Sequence, residues 1–410
     1  MAISSRSAAA KMTAMVRSSR VPDRRSRAWG TSPDGPLRVA WFGHGGGRRA
    51  DGLSSYSATT VSALRQHGVE VAFFFHRHDG DAVPVAQAIS LSAARFKTVT
   101  MPSPGTAARI SHELMDFRPD VVHISLSFSL LDTWLLAHCR RAGIPTIATV
   151  HLPYARAHSG RGRVLHALYR FHAHTLSLAD RCIALSSGQR DLLVSVGCDR
   201  DRIDVLPNGV DTNEISPGPS RMRSSLGGRF VVGYMGRLDP EKRVLELVHA
   251  FRRRRWSDDD RLVIAGGGSQ QLRISRIADR DPRIVMLGAI HDRQECIDLL
   301  RGIDVFVLPS TAEGLSLSLL EAMAAGCAVV ATDAGDDGAL VSGAGLVLPA
   351  YPLEPSLGTA LDTLRDDPTL RSELGLLARQ RVRDSYSSAV TVEGLMRNYE
   401  HMALRKLAVA

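Results

Sequence analysis

The sequence predicts an α/β protein made of two doubly wound, Rossmann-like domains that face each other across a cleft. Three observations predict it. The 410 residues suffice for two domains of roughly 100–200 residues each. Short, nearly continuous apolar runs alternate with amphipathic stretches, as parallel strands do when helices cover both faces of their sheet. The alternation stops once, at 206–225 (LPNGVDTNEISPGPSRMRSS), and then begins again.

Residues 1–36 lie outside the pattern. They hold seven bases (Arg6, Lys11, Arg17, Arg20, Arg24, Arg25, Arg27) and two acids (Asp23, Asp34), so +5 of the net +9 sits here and +4 is spread over the rest. A folded body so nearly balanced is no nucleic-acid footprint. This Ser-, Ala- and Arg-rich leader reads as a disordered tail; a targeting segment, or a start at Met12 or Met15, are the alternatives.

The first domain, 37–205, is expected to place strands at 37–43, 69–75, 120–125, 144–150 and 181–185, with helices over 53–67, 130–142 and 161–178. Residues 206–225, rich in Pro, Gly, Ser and Asn, read as a linker. The second domain, 226–387, is expected to place strands at 229–235, 261–266, 283–287, 304–308 and 328–332. The apolar periodicity of 388–404 predicts a last helix, within a C-terminal segment 388–410 that packs back over the junction.

Composition narrows the class. Apolar residues at 44% and charged residues at 23% exclude a fibrous or wholly disordered chain. No run approaches the roughly 18 apolar residues of a membrane span. Five cysteines with no C-x-x-C spacing argue against a disulfide framework and a structural zinc. The expectation is a cytoplasmic protein.

In doubly wound sheets ligands bind beyond the carboxyl ends of the strands, and three segments there are informative. After strand 37–43 comes GHGGGRRADGLSSYS, a glycine-rich entry to a helix that suits an anion, or equally a plain turn. Gly266-Gly267-Gly268 is a similar weak signal. In GRLDPEKRVLELVHAF (236–251), Asp239 reads as an N-cap and Pro240 as the first helical residue. Lys242 then falls in a first turn, where a cation opposes the helix dipole unless an anion lies beside it. Arg237 precedes the cap. An adjacent anion explains this better; two surface bases are the alternative. The most informative segment is PSTAEGLSLSLLEAMAAGCAVVATD (309–333), with Glu313 in a loop and Glu321 eight residues on in a helix lined by Leu319, Leu320, Met323 and Ala324. A half-buried carboxylate needs donors, and a sugar diol supplies two. The amides of Gly314, Leu315, Ser316 and Leu317 would open a helix toward an anion.

Together these residues resemble the retaining family 4 group of GT-B nucleotide-sugar glycosyltransferases. The resemblance runs from Leu37 to the C-terminus and rests on Asp51-Gly52-Leu53, PNGVD at 207–211, GRLDPEK at 236–242 and Glu313…Glu321. It implies transfer of a sugar from a UDP- or GDP-sugar to an unidentified acceptor, with retention at the anomeric carbon. The first domain would be the acceptor side and the second the donor side. By position, Arg237 and Lys242 would clamp the diphosphate and Glu321 would hold the ribose hydroxyls. Glu313 would contact the sugar, Gly52 would offer its backbone to the phosphate, and His151, in TVHLPY, matches the family histidine at the sugar. Alone, His151 reads as an ordinary strand-end histidine.

The chain departs from the family pattern in places. Asp51-Gly52 stands for Gly-Gly, Arg243 for the Gly after the EK pair, and Ser316 for the fourth residue of E-G-F-G. TDAGDDGALVSGAGL lacks the G-G-x-P-E stretch, which puts the sugar-side contacts there in doubt. Rival readings are a phosphorylase or epimerase on the same fold, and a non-catalytic nucleotide-sugar-binding module. The basic amphipathic stretch 156–174, with Arg156, Arg161, Arg163 and Arg170 beside Leu165, Leu168, Tyr169 and Phe171, suits an anionic membrane surface or a solvated face. No cofactor or metal is expected. Asp79-Gly80-Asp81 imitates a metal-holding Asp-x-Asp, but it lies in the wrong half of the chain and reads as a turn.

Overall fold

The computed structural model describes residues 35–44, 52–77, 88–96, 99–102, 105–126, 130–151, 160–254 and 256–409. The first sheet contains β1 (Arg38–Gly43), β2 (Glu70–Arg77), β3 (Ala88–Phe96), β4 (Val99–Pro102), β5 (Val121–Ser125), β6 (Thr146–Val150), β7 (Arg181–Ala184) and β8 (Ile203–Val205). Their spatial order is β4-β3-β2-β1-β5-β6-β7-β8, parallel throughout except for the β3–β4 hairpin at the edge. Helices α1 (Gly52–Gln66), α2 (Thr106–Phe117), α3 (Leu130–Ala142), α4 (Gly160–Leu176) and α5 (Ser187–Ser195) join the strands.

The strands are apolar on both faces because both are covered. Val39, Trp41, Phe73, Phe75, Val121, Ile147 and Ile183 face one buried cluster. Their alternating neighbours Ala40, Phe42, Phe74, Val122, Ile124, Ala148 and Cys182 face the other.

The second sheet contains β9 (Phe230–Met235), β10 (Asp260–Ala265), β11 (Ile284–Gly288), β12 (Val305–Leu308), β13 (Ala328–Thr332) and β14 (Leu346–Leu348), all parallel, in the order β11-β10-β9-β12-β13-β14. Its first strand lies in the middle and the order reverses at β9/β12, the switch point where such sheets bind ligands. Its helices are α6 (Arg223–Leu226), α7 (Val244–Arg252), α8 (Gln271–Ala278), α9 (Arg293–Gly302), α10 (Leu317–Ala324), α11 (Asp337–Val341), α12 (Leu353–Asp366) and α13 (Pro368–Ser385).

The chain crosses between the domains twice, side by side. The Val210 amide donates to Tyr386 O at 3.0 Å, and the Ser388 amide donates back to Val210 O at 2.8 Å. After the second crossing α14 (Ser388–Val409) lies beside α1 on the first sheet, where Val392, Leu395, Met396, Tyr399 and Met402 join the core. PNGVD therefore sits at the junction, and the last helix of the chain completes the first domain. Leu317, which opens α10, packs against the buried clusters of both domains, so the carboxyl edge of the second sheet meets the first domain there.

Candidate active site

The loops after β9, β12 and β13 converge at this edge. The loop after β9 runs over the glycine triplet that follows β10. A Cβ on Gly266, whose φ is +143°, would stand 1.8 Å from Gly236 O, and one on Gly268 would stand 2.6 Å from the Leu238 backbone. Leu238 N donates to Gly267 O at 3.0 Å and Gln270 N donates to Leu238 O at 2.8 Å. The triplet is glycine because two backbones touch there. That close packing accounts for it with no bound anion.

The helix expected to start at Asp239 starts later. Pro240–Lys242 form one 3₁₀ turn, Arg243 is left-handed (φ 53°), and α7 begins at Val244. Asp239 does not cap it; its Oδ1 accepts from Ser269 N at 3.0 Å and Ser269 Oγ at 2.8 Å instead. Arg243 occupies the position where the resemblance calls for glycine, the residue for which this backbone costs least. Its buried guanidinium offsets the strain by donating to Glu246 Oε1 at 2.7 Å and Ala350 O at 2.8 Å, and by lying 4.8 Å from the centre of the Tyr351 ring.

The early turn carries Lys242 toward the loop after β12, which Thr311 N fixes by donating to Glu241 O at 2.8 Å. There the Lys242 ammonium donates to the Glu313 carboxylate. Arg237 is more open; it pairs with Asp239 and, at 2.9 Å, with Glu241. Each base of the expected clamp thus has a carboxylate beside it.

The loop after β13 closes on Glu313 from the other side. Asp336 N donates to Gly314 O at 3.1 Å. Gly335 is left-handed (φ +58°), and a Cβ on it would stand 2.3 Å from Glu313 O. Asp337 is buried; its Oδ1 accepts from Ser316 N at 3.0 Å, and its Oδ2 has no hydrogen-bond partner. Burial, then the nearby Glu313 charge, push this carboxyl well above the usual range. Of the amides at Gly314–Leu317, that of Ser316 is therefore already engaged.

Glu321 belongs to a second cluster. It projects from α10 with 13% of its side chain exposed and accepts from Arg293, whose guanidinium also pairs with Glu214 at 3.0 Å. The first domain contributes His151, at the end of β6, packed edge-on against Tyr56 with ring centres 4.6 Å apart. Its Nε2 is buried and unpartnered. Burial, with His44 and His123 nearby, holds the imidazole neutral, well below its usual pKa. Beneath it, buried His123 bonds Tyr399 Oη at 2.6 Å and Thr149 Oγ1 at 2.7 Å. Gly52 opens α1 after β1.

Asp51, the glycine-rich stretch 45–51, and Asp79 and Asp81 lie outside the described residues. So do Arg156 and the side chains of Arg161, Arg163, Leu165 and Phe171. Among the described residues no group of three or more His, Cys, Asp or Glu side chains is placed to hold a metal ion, and no helix is long and apolar enough to cross a membrane.

Sequence reasoning did not single out Arg293, Asp337 or His123. Asp337 left a trace, as the doubled aspartate where the G-G-x-P-E stretch is missing. Arg293 left none, because its two partners are 79 and 28 residues away.

Residues 50–214 match the Glycosyltransferase Family 4 model and residues 229–367 match Glycosyl transferases group 1. The chain is also 31% identical over 322 residues to a GDP-mannose-dependent alpha-mannosyltransferase of Mycobacterium tuberculosis, covering 77% of this chain and 81% of that one. It belongs to the family 4 glycosyltransferases. A D-inositol 3-phosphate glycosyltransferase of Kineococcus radiotolerans is 28% identical over 401 residues, covering 85% and 90% of the two chains. Among solved structures, a sucrose-phosphate synthase of Thermosynechococcus elongatus superposes with a TM-score of 0.75 at 20% identity, covering 91% of this chain and all of that one. HepE of Anabaena, solved with UDP and glucose, gives 0.70 at 16% identity over 89% of this chain and 100% of that one. The fold of this family 4 glycosyltransferase is GT-B.

Proposed function

We propose that this glycosyltransferase moves a sugar from a GDP- or UDP-sugar to an acceptor with retention of anomeric configuration, and that GDP-mannose is the donor to test first. The observation that carries the reading is the convergence of Arg237, Lys242 and Glu313 at the switch point of the second sheet. The mannosyltransferase relative supports the choice of donor, and the inositol-phosphate relative supports a phosphorylated polyol among the acceptors to test.

The chemistry follows from the charges. An arriving diphosphate replaces the carboxylates beside Arg237 and Lys242, and Glu313 is released toward the sugar hydroxyls. Negative charge on the leaving diphosphate grows in the transition state, where preorganised cations stabilise it most. Neutral His151 orients the sugar through its unpartnered Nε2. The acceptor proton passes to the leaving phosphate on the same face. Arg237 and Lys242 supply the compensating charge, so no metal is required. Contact with an anionic membrane through 156–174 is a further part of the proposal; vesicle sedimentation at low salt tests it, and absence of binding contradicts it.

The test is product analysis with the full chain, using GDP-mannose, UDP-glucose and UDP-GlcNAc, with and without inositol phosphate, glycan and lipid acceptors. Acceptor-dependent release of nucleoside diphosphate with an α-linked product supports the reading. Consumption of UDP-GlcNAc without acceptor indicates an epimerase. Sugar 1-phosphate formed with inorganic phosphate indicates a phosphorylase. Tight nucleotide binding without turnover indicates a binding module.

A further inference from the structure

Arg293 lies outside every motif used above, yet it joins the interdomain linker to the donor side. It is the first residue of α9, behind Asp292, whose Oδ1 accepts from Glu295 N at 2.8 Å and caps the helix. Its guanidinium is shared between two carboxylates. Nε and Nη2 donate to Glu214 Oε2 at 3.1 and 3.0 Å, and Nη1 donates to Glu321 Oε1. A planar, five-donor group can hold two carboxylates at a fixed angle, which a lysine cannot do.

Glu214 is itself held. Its amide, at 3.1 Å, and that of Asn213, at 2.9 Å, donate to Asp211 Oδ1, so the turn that ends PNGVD presents it. The preceding residue, Val210, is bonded to the second domain crossing at Tyr386 and Ser388.

Stability alone does not account for this arrangement. Arg293 and Glu214 are 42% and 43% exposed, and ion pairs that open contribute little to stability. Glu321, by contrast, is nearly sealed, and Arg293 engages only its Oε1.

We propose that Arg293 is a positioning residue for the donor ribose: anchored by Glu214, it fixes the Glu321 carboxylate so that this accepts hydrogen bonds from the vicinal ribose hydroxyls. The inference rests on the reading of Glu321 as the ribose-holding carboxylate.

The experiment titrates GDP and UDP, and their 2′,3′-dideoxy analogues, into wild type, Arg293→Ala, Arg293→Lys, Glu214→Gln and Glu321→Gln, with melting curves to confirm folding. Hydrogen bonds to a charged group predict a wild-type preference for the ribose form on the order of tenfold or more. Arg293→Ala brings that ratio close to one, Glu214→Gln lowers it partway, and Arg293→Lys restores little. In turnover the loss falls on the donor KM rather than on kcat. A preference lost in Glu321→Gln but intact in Arg293→Ala and Glu214→Gln overturns the proposal and leaves the ribose reading standing. If Arg293→Ala does not fold, Glu214→Gln alone decides between these outcomes. A wild type that binds both forms equally overturns the ribose reading, and the proposal with it.

Discussion

The ammonium of Lys242 donates to the carboxylate of Glu313 across 71 residues of sequence, with 14% and 11% of the two side chains exposed. One of these residues is read as the partner of the diphosphate and the other as the partner of the sugar. Each is the counter-ion of the other.

Replacing Lys242 by Ala should cost more in turnover than in donor binding, because charge on the leaving group grows in the transition state. A preorganised donor of this kind is typically worth about 10²–10³ in kcat. Steady-state kinetics with a saturating donor measure it, and unchanged turnover removes Lys242 from the mechanism.

Asp337 should carry a stability signature opposite to that of an ordinary paired carboxylate. Its folded pKa is raised, so above about pH 4 the native state keeps a proton that the unfolded chain has lost. Stability then falls as pH rises toward the folded pKa, by about 1.4 kcal/mol per pH unit. Asp337→Asn keeps the acceptor for Ser316 N and lacks the titration. Urea unfolding should find it gaining on wild type as pH increases; a constant difference contradicts the raised pKa.

His123 should act at the other end of the scale. Burial pushes its imidazole down to about 3 from the usual 6.5. Between those values the unfolded chain binds a proton that the native state refuses, so stability falls as pH falls below about 6.5. His123→Gln breaks hydrogen bonds and starts less stable, yet it should lose less on going from about pH 7 to about pH 5. Parallel losses in the two proteins would sink this account.

Arg243 separates backbone strain from side-chain contact. Arg243→Ala loses the guanidinium and keeps the left-handed penalty, whereas Arg243→Gly loses both. Thermal melts should place the Gly variant above the Ala variant by about 1 kcal/mol. Equal stability would mean that the left-handed turn costs nothing.

The fold was legible because burial on both faces writes itself into composition. Runs such as RVAWFG and AVVAT appear as β1 and β13 almost to the residue. The strands that escaped notice, β8 and β14, are three residues long, and the β3–β4 edge mixes polar with apolar residues. At the site, types and spacing pointed to Glu313 and Glu321 but not to their separation into two clusters, each with its own base. Lys242 and Arg293 reach those carboxylates through tertiary contacts that no local pattern encodes. The misplaced start of α7 has a local cause: Asp239 and Pro240 are good start signals, and the left-handed Arg243 after them overrides both.

Metal independence is expected to hold on both sides of the cleft. Activity should survive EDTA, and an Asp79→Ala, Asp81→Ala double variant should keep near-normal turnover. Transfer that is abolished by chelation and restored by magnesium or manganese would contradict the two-base clamp as the source of leaving-group stabilisation.

The most direct test of the central claim, that Arg237 and Lys242 receive a nucleoside diphosphate, is calorimetric titration of GDP, UDP and the matching nucleosides into wild type and an Arg237→Ala, Lys242→Ala double variant. At least one diphosphate should bind wild type on the order of tenfold tighter than its nucleoside, since hydrogen bonds to charged groups are worth about 1.5–3 kcal/mol. That advantage should vanish in the double variant while nucleoside binding stays the same. Failure of both diphosphates to bind, or an advantage undiminished without the two bases, would contradict the account.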